Sequence, residues 1–272
     1  MEVNHMSTTS KAGQRIAALL DENSFVEIGA LVTARNTDFN LKLTETPSDG
    51  VVTGYGLVDG KLVYVYSQDS SVLNGTVGEM HAKKIANIYD MALKMGAPVI
   101  GLLDSAGLRL QEATDALDAM ALVYSKQAAA SGVIPQICAV FGNCGGGLAI
   151  MNAMADFTFM EEKNAKLFVN TPNALDGNYT AKCDTASAKY VAEAGQCDCA
   201  GDEDYILSQM RELITMLPSN NDSEAEAIDV TDDLNRACEG IEGCVGDTAI
   251  LVSQIADDNN FVEIKGEHAK SM

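Results

Sequence analysis

The chain has 272 residues, 47% hydrophobic and 21% charged, enough apolar material for the core of one large domain or two ordinary ones. Its net charge of −21 argues against nucleic acid, whose phosphates require basic surface. No apolar run reaches the roughly 18–20 residues of a membrane span. The N-terminus lacks a basic segment followed by an apolar one, and the seven cysteines show no repeated CxxC spacing. The expectation is a cytoplasmic chain with free thiols, no signal peptide, no membrane insertion and no metal site.

In chain order, a helix is expected over 14–20 and a short strand over 25–28. Pro47-Ser48-Asp49-Gly50 marks a turn, and two strand-like runs follow, Val51 to Val58 and Leu62 to Ser67. The Asp59-Gly60 pair between them is a hairpin signal. A helix over 78–95 places Met80, Ile85, Ile88, Met91, Ala92 and Met95 on one face. Gly96-Ala97-Pro98 stops it, a buried strand covers 99–103, and the small-residue loop Asp104-Ser105-Ala106-Gly107-Leu108-Arg109 follows. A helix over 111–130 leads to a strand over 137–141, then the cluster Gly142-Asn143-Cys144-Gly145-Gly146-Gly147 and a helix beginning near Leu148. Strands over 156–160 and 166–170, an Ala-rich helix over 181–199 and an amphipathic helix over 204–217 complete the pattern. Residues 222–239 read as a polar loop. From Asp184 onward 20 acidic residues face 5 basic ones, read mainly as a solvated acidic face.

Alternating strands and helices point to an α/β architecture with parallel strands. In such folds ligands gather at the carboxyl ends of strands. Both small-residue loops, 104–109 and 142–147, belong there. A tight strand-to-helix turn leaves backbone N–H groups free of intrahelical partners, able to receive a phosphate or a developing oxyanion. Histidines occur only at 5, 81 and 268; His81 falls in the helix pattern and is expected to cap or pack.

The chain also repeats itself. Leu19-Leu20-Asp21-Glu22-Asn23-Ser24-Phe25-Val26-Glu27-Ile28 returns as Ile255-Ala256-Asp257-Asp258-Asn259-Asn260-Phe261-Val262-Glu263-Ile264, six of ten positions identical at an offset of 236. One unit of about that length and the beginning of another are expected.

Several segments resemble the carboxyltransferase subunits of biotin-dependent acyl-CoA carboxylases and decarboxylases: 48–54 (SDGVVTG), 78–85 (GEMHAKKI), 96–101 (GAPVIG), 104–112 (DSAGLRLQE), 130–137 (ASGVIPQI), the glycine cluster, 156–160 (DFTFM) and 217–221 (LPSNN). The similarity runs in order from about residue 15 to the end. It implies a crotonase-like fold of repeated ββα superhelical turns in a single domain, here the N-terminal half of a tandem pair. A tail over 1–14, a domain over 15–245 and a lead-in to a second domain over 246–272 are expected.

The resemblance implies acyl-CoA as substrate and biotin on a separate carrier protein. It further implies a separately encoded C-terminal carboxyltransferase half and an oligomer. It implies that the thioester enolate is held by backbone N–H groups of Gly146 and Gly147, faced by Ala106 or Gly107. Asn143, Gly145 and Ala106 depart from the family's proline, alanine and glycine without removing an N–H, and Leu108 in place of alanine is expected to reshape the acyl pocket. Lys83 and Arg109, with Lys84, are candidates for the CoA phosphates; plain surface exposure is favoured for Lys84. Two other readings remain: a stand-alone enoyl-CoA hydratase or isomerase with Glu112 as base, and a non-catalytic scaffold of a decarboxylase complex.

Overall fold

The computed structural model describes residues 9–36, 45–223, 233, 235, 237, 240–246 and 248–268. They divide into two compact units, 1–223 with 265–272, and 224–264.

The first unit is built on one eight-stranded sheet. β1 (Val26–Glu27), β2 (Val51–Val58) and β3 (Lys61–Gln68) pair antiparallel. β4 (Val99–Ser105), β5 (Gln136–Gly145), β6 (Phe157–Glu161) and β8 (Cys199–Gly201) continue the sheet in parallel, and β7 (Lys166–Phe168) pairs with the far end of β5. The expected hairpin forms at Asp59 and Gly60, whose φ angles of 47° and 80° give the two left-handed positions of a type I′ turn. The other elements of this unit are α1 (Lys11–Leu19), α2 (Glu79–Met95), α3 (Ala113–Ala130), α4 (Gly147–Ala153), α5 (Asn178–Ala181), α6 (Ala188–Glu193) and α7 (Glu203–Met216).

Both faces of the sheet are covered, which is why β4 and β5 read as continuous apolar runs. Strand alternation sends Cys138 and Val140 into one core with Ile85, Ile88 and Tyr89 of α2 and Val123 of α3. It sends Ile137, Ala139 and Phe141 into the other, with Ile16 and Leu19 of α1 and Ile206 and Met210 of α7.

Three local expectations are corrected. β5 does not stop at Phe141 but runs to Gly145, because β7 supplies a second partner strand for Asn143, Cys144 and Gly145. The 181–199 segment is not one helix. Ser187 caps the six-residue α6, Gly195 at φ 73° ends it, and the chain re-enters the sheet as β8. The buried face of α2 is also rotated from the expected one: His81 and Lys84 point inward, and Met95 is exposed. Buried partners for both polar side chains, described below, draw that face in.

The second unit contains α8 (Thr248–Ile255), which leaves Ile250, Val252 and Ile255 exposed. The sequence repeat is also a backbone repeat. Leu20 N–H donates to Ile16 O and Ala256 N–H to Val252 O, at 3.0 and 2.8 Å. Ser24 to Asp21 is matched by Asn260 to Asp257, and Val32 to Gly29 by His268 to Lys265. The left-handed residues match too, Asn23 with Asn259 and Gly29 with Lys265. Every pair keeps the 236-residue offset.

Two helices start from the same unusual backbone. Gly146, before α4, has φ 60° and ψ −122°; Ala113, at the start of α3, has φ 48° and ψ −120°. That region suits glycine and costs an L-residue about 1–3 kcal/mol. Ala113→Gly is therefore expected to raise the unfolding free energy by about 1 kcal/mol after glycine's entropy cost. Gly146→Ala is expected to lower it by at least as much. Urea midpoints at constant m-value check both, and a destabilised Ala113→Gly variant would show the strain to be absent.

Candidate functional site

The two small-residue loops meet at the carboxyl ends of β4 and β5. A Cβ built on Gly107 would lie 3.9 Å from the carbonyl oxygen of Gly145, with nothing nearer. The approach depends on a bulge in β5, where residues 141–143 lie opposite Asp104 alone. Pairing of β4 with β5 is regular to Leu103 and Val140, then slips so that Ser105 pairs with Cys144. Asp104 is fixed on three sides: its N–H donates to Gln68 Oε1 at 3.2 Å, and its carboxylate accepts from Ser70 Oγ at 3.0 Å and Arg15 Nη1 at 3.3 Å. The same carboxylate lies against Gly142, where a Cβ would stand 2.0 Å from Oδ1. Gly142 is thus a packing glycine, and so is Gly145, whose Cβ would meet the Phe168 ring at 2.7 Å.

Backbone accounting separates engaged N–H groups from free ones. Gly146 N–H donates to Phe168 O at 2.9 Å, Ala106 N–H to Asn74 O at 3.0 Å and Gly107 N–H to Ser105 Oγ at 3.1 Å. Three of the four expected oxyanion donors are therefore committed inside the protein, and only Gly147 keeps a free N–H. Among the described residues, Leu108 and Leu148 N–H also have no internal acceptor. Leu108 lies on the facing loop, held by Val77 N–H donating to Gly107 O and Arg109 N–H to Val77 O, both at 2.9 Å. Sequence reasoning singled out Leu108 for its side chain and passed over its backbone N–H, because a backbone donor needs no particular side chain. Tyr124 Oη donates to Gly147 O at 2.6 Å and fixes the peptide that carries the Leu148 N–H.

Arg109 does not face outward toward a ligand. It is 3% exposed, and its Nη1 lies 2.6 Å from Asp49 Oδ1 and 2.9 Å from Glu112 Oε1. Nη2 donates to Thr76 O at 2.6 Å and Nε to Thr76 Oγ1 at 3.2 Å. The expectation that it binds CoA phosphates is corrected: a guanidinium so enclosed is a strut between the 47–50 turn, the start of α2 and the 104–112 loop. Glu112 is enclosed with it, its Oε2 accepting from Glu79 N–H at 2.6 Å, so neither oxygen is free to act as a base. Gly78 makes room for this cluster; a Cβ there would stand 2.4 Å from Arg109 Nη1 and from Glu112 Oε1.

Lys84, expected at the surface, is 7% exposed. Its ammonium donates to Ser48 O at 2.9 Å, and also to Ser48 Oγ and Val51 O. Burial pushes it down to about 8 against the opposing pull of Glu27 and Asp49. It ties down a turn in which Ser48 and Asp49 both have positive φ. Lys83 is exposed and pairs with Glu79 one turn earlier at 2.6 Å. His81 packs, as expected, with Nδ1 2.9 Å from Asp49 O and Nε2 3.2 Å from Gln68 Nε2. Burial first, and the Arg109 charge second, hold its pKa at about 3. Among the described residues no group of three His, Cys, Asp or Glu side chains is placed to hold a metal ion, and no helix is long and apolar enough to cross a membrane.

Residues 4–272 match the model of the carboxyl transferase domain. The chain belongs to this family. It is 36% identical over 292 residues to the methylmalonyl-CoA decarboxylase alpha subunit of Propionigenium modestum, covering 100% of this chain and 55% of that one. It is 37% identical over 284 residues to the propionyl-CoA carboxylase beta chain of Roseobacter denitrificans, covering 100% and 56%. Among solved structures, transcarboxylase 12S, a hexamer with hydrolysed methylmalonyl-coenzyme A bound, superposes with a TM-score of 0.87 at 30% identity over 95% of this chain and 53% of that one. The fold is therefore the crotonase-like fold of carboxyltransferases, as expected. The chain spans about half the length of the relatives it matches.

Because the Arg109 cluster is buried, removing its cation leaves two uncompensated carboxylates. Arg109→Met is expected to cost about 3–5 kcal/mol of stability, measured by chemical denaturation. A variant of wild-type stability would return Arg109 to the surface role.

The His81 shift gives a pH dependence of definite sign. Unfolded, His81 takes a proton near its ordinary value of 6.5; folded, only near 3. The unfolded state binds more protons between these values, so this contribution is full above about pH 6.5 and is lost as pH falls toward 3, at up to ~1.4 kcal/mol per unit. Asp49 and Glu27, whose carboxyls burial pushes up, act with opposite sign in both proteins under comparison. Between about pH 7 and about pH 5.5 wild type should lose about 1 kcal/mol more stability than His81→Gln. Equal losses in denaturation series would contradict the buried neutral state.

Proposed function

We propose that the chain is the acyl-CoA-binding unit of a biotin-dependent carboxyltransferase, acting on the methylmalonyl-CoA and propionyl-CoA pair or a close relative. The observation that carries this reading is the set of unpartnered N–H groups of Leu108 and Gly147 on two facing loops, with Leu148 beside them. Carboxyl transfer at the α-carbon of a thioester breaks or forms one C–C bond, and the electron pair of that bond is held as an enolate on the thioester oxygen. Donors fixed in advance around that oxygen stabilise the transition state more than the ground state. Biotin on a separate carrier protein supplies or accepts the carboxyl group. This chain's contribution is to bind the thioester and hold the oxyanion. Lys83, exposed at the start of the second turn of α2, is retained as a contact for the CoA phosphates.

The substrate pair is supported by the names of the relatives. The need for a second unit is supported by the backbone repeat. At the common offset, Val252 and Ile255 of α8 take the places of Ile16 and Leu19 of α1, which are core residues. A segment built like the start of one unit, with its corresponding side chains exposed, is suited to open another. In this reading a C-terminal half carries that second unit and the biotin-facing wall, in an oligomer. The stand-alone hydratase reading is disfavoured by Glu112, both of whose oxygens are engaged.

The chain is expected to bind propionyl-CoA and methylmalonyl-CoA in isothermal titration, which would exclude the scaffold reading. Native mass spectrometry of the protein from its own source should show a second unit of about 230–270 residues in the assembly, the length of one repeat unit. Hydration of an enoyl-CoA by the chain alone, or a fully active homo-oligomer, would overturn the assignment.

A further inference from the structure

Gln68 ends β3, and its side chain spans the gap between α2 and β4. Its carboxamide has two neighbours, His81 Nε2 at 3.2 Å from the amide nitrogen and the Asp104 N–H at 3.2 Å from the amide oxygen. The direction of every hydrogen bond in this chain of groups is determined. The Asp49 carbonyl oxygen can only accept, so His81 Nδ1 carries the hydrogen and donates at 2.9 Å. A neutral imidazole with its hydrogen on Nδ1 leaves Nε2 bare, so Nε2 accepts from the Gln68 amide. The Gln68 oxygen therefore turns toward Asp104. Asp49 itself is held by His81 N–H donating to Oδ2 at 2.8 Å. All four residues are buried or nearly so, and no member can rotate without leaving a buried polar group unpaired.

The end point matters. Asp104 is the single β4 residue opposite the β5 bulge of residues 141–143, and its N–H is taken by Gln68 where the register changes. The next residues form the loop that carries the Leu108 N–H toward the glycine cluster. We propose that Gln68, oriented by His81, is a positioning residue: it fixes Asp104, opposite the β5 bulge, and through it the aim of the 105–109 loop at the thioester oxygen. The inference rests on the oxyanion reading given above for that loop.

The test uses the full chain and two CoA ligands: propionyl-CoA, and a nitroalkyl analogue bound as its nitronate, which carries negative charge where the enolate oxygen would sit. Wild type should prefer the nitronate by more than about tenfold. Gln68→Leu removes both hydrogen bonds, and Gln68→Met does so with an unbranched chain should the first fold poorly. Either should reduce nitronate affinity about tenfold while changing propionyl-CoA affinity less than about twofold, and should shift the amide resonances of residues 105–109 without ligand. Gln68→Glu keeps an acceptor for Asp104 N–H and should restore most of the preference. It should also move the His81 titration, followed by nitrogen-15 NMR, upward from about 3. If wild type shows no nitronate preference, the oxyanion reading fails and takes this inference with it. If wild type shows the preference and Gln68→Leu or Met keeps it, or loses both ligands alike, the positioning role alone is overturned.

Discussion

The structure around the two loops depends on one buried cation. Arg109 pairs at once with Asp49, which sits in a turn of positive φ, and with Glu112, which receives the first N–H of α2. Three segments far apart in sequence are tied to a single guanidinium, whose planar, fixed donors allow the arrangement. Burying such a group is unfavourable unless every partner is present, so the cluster forms whole or not at all. It links the turn before β2, the start of the longest flanking helix pair and the loop after β4 into one cooperative unit.

Around that cluster the backbone is used with little redundancy. Many N–H groups near the loops have acceptors within the protein, whereas those of Leu108, Gly147 and Leu148 have none. The glycines divide accordingly. Gly142, Gly145 and Gly78 are small because a carboxylate, an aromatic ring and the ion cluster press against them, whereas Gly146 is glycine for its backbone angles. A glycine run that reads as one motif thus has several separate physical causes, and only part of it borders the candidate site.

Elements set by local chemistry could be read directly from the sequence: the Asp59-Gly60 hairpin, the stop at Gly96, the apolar strands β4 and β5, and the decamer repeat with its shared backbone. What could not be read depends on partners distant in sequence. Arg109 and Lys84 look like surface cations until Asp49 and the 48–51 carbonyls are placed beside them. The Ala-rich stretch favours helix by propensity, yet Gly195 and pairing with β6 turn its end into strand. The choice among Ala106, Gly107 and Leu108 was likewise invisible, since all three carry the same N–H and only tertiary hydrogen bonding distinguishes them.

The relay runs from the Asp49 carbonyl through the His81 ring and the Gln68 amide to the Asp104 N–H, and its one titratable group, the imidazole, is held uncharged down to about pH 3. That imidazole gains no proton near neutrality, whereas Lys84, pushed down to about 8 and donating to Ser48 O in the turn that carries the Asp49 carbonyl, loses one just above it. A pH–rate profile should then report on groups outside the relay, Lys84 among them.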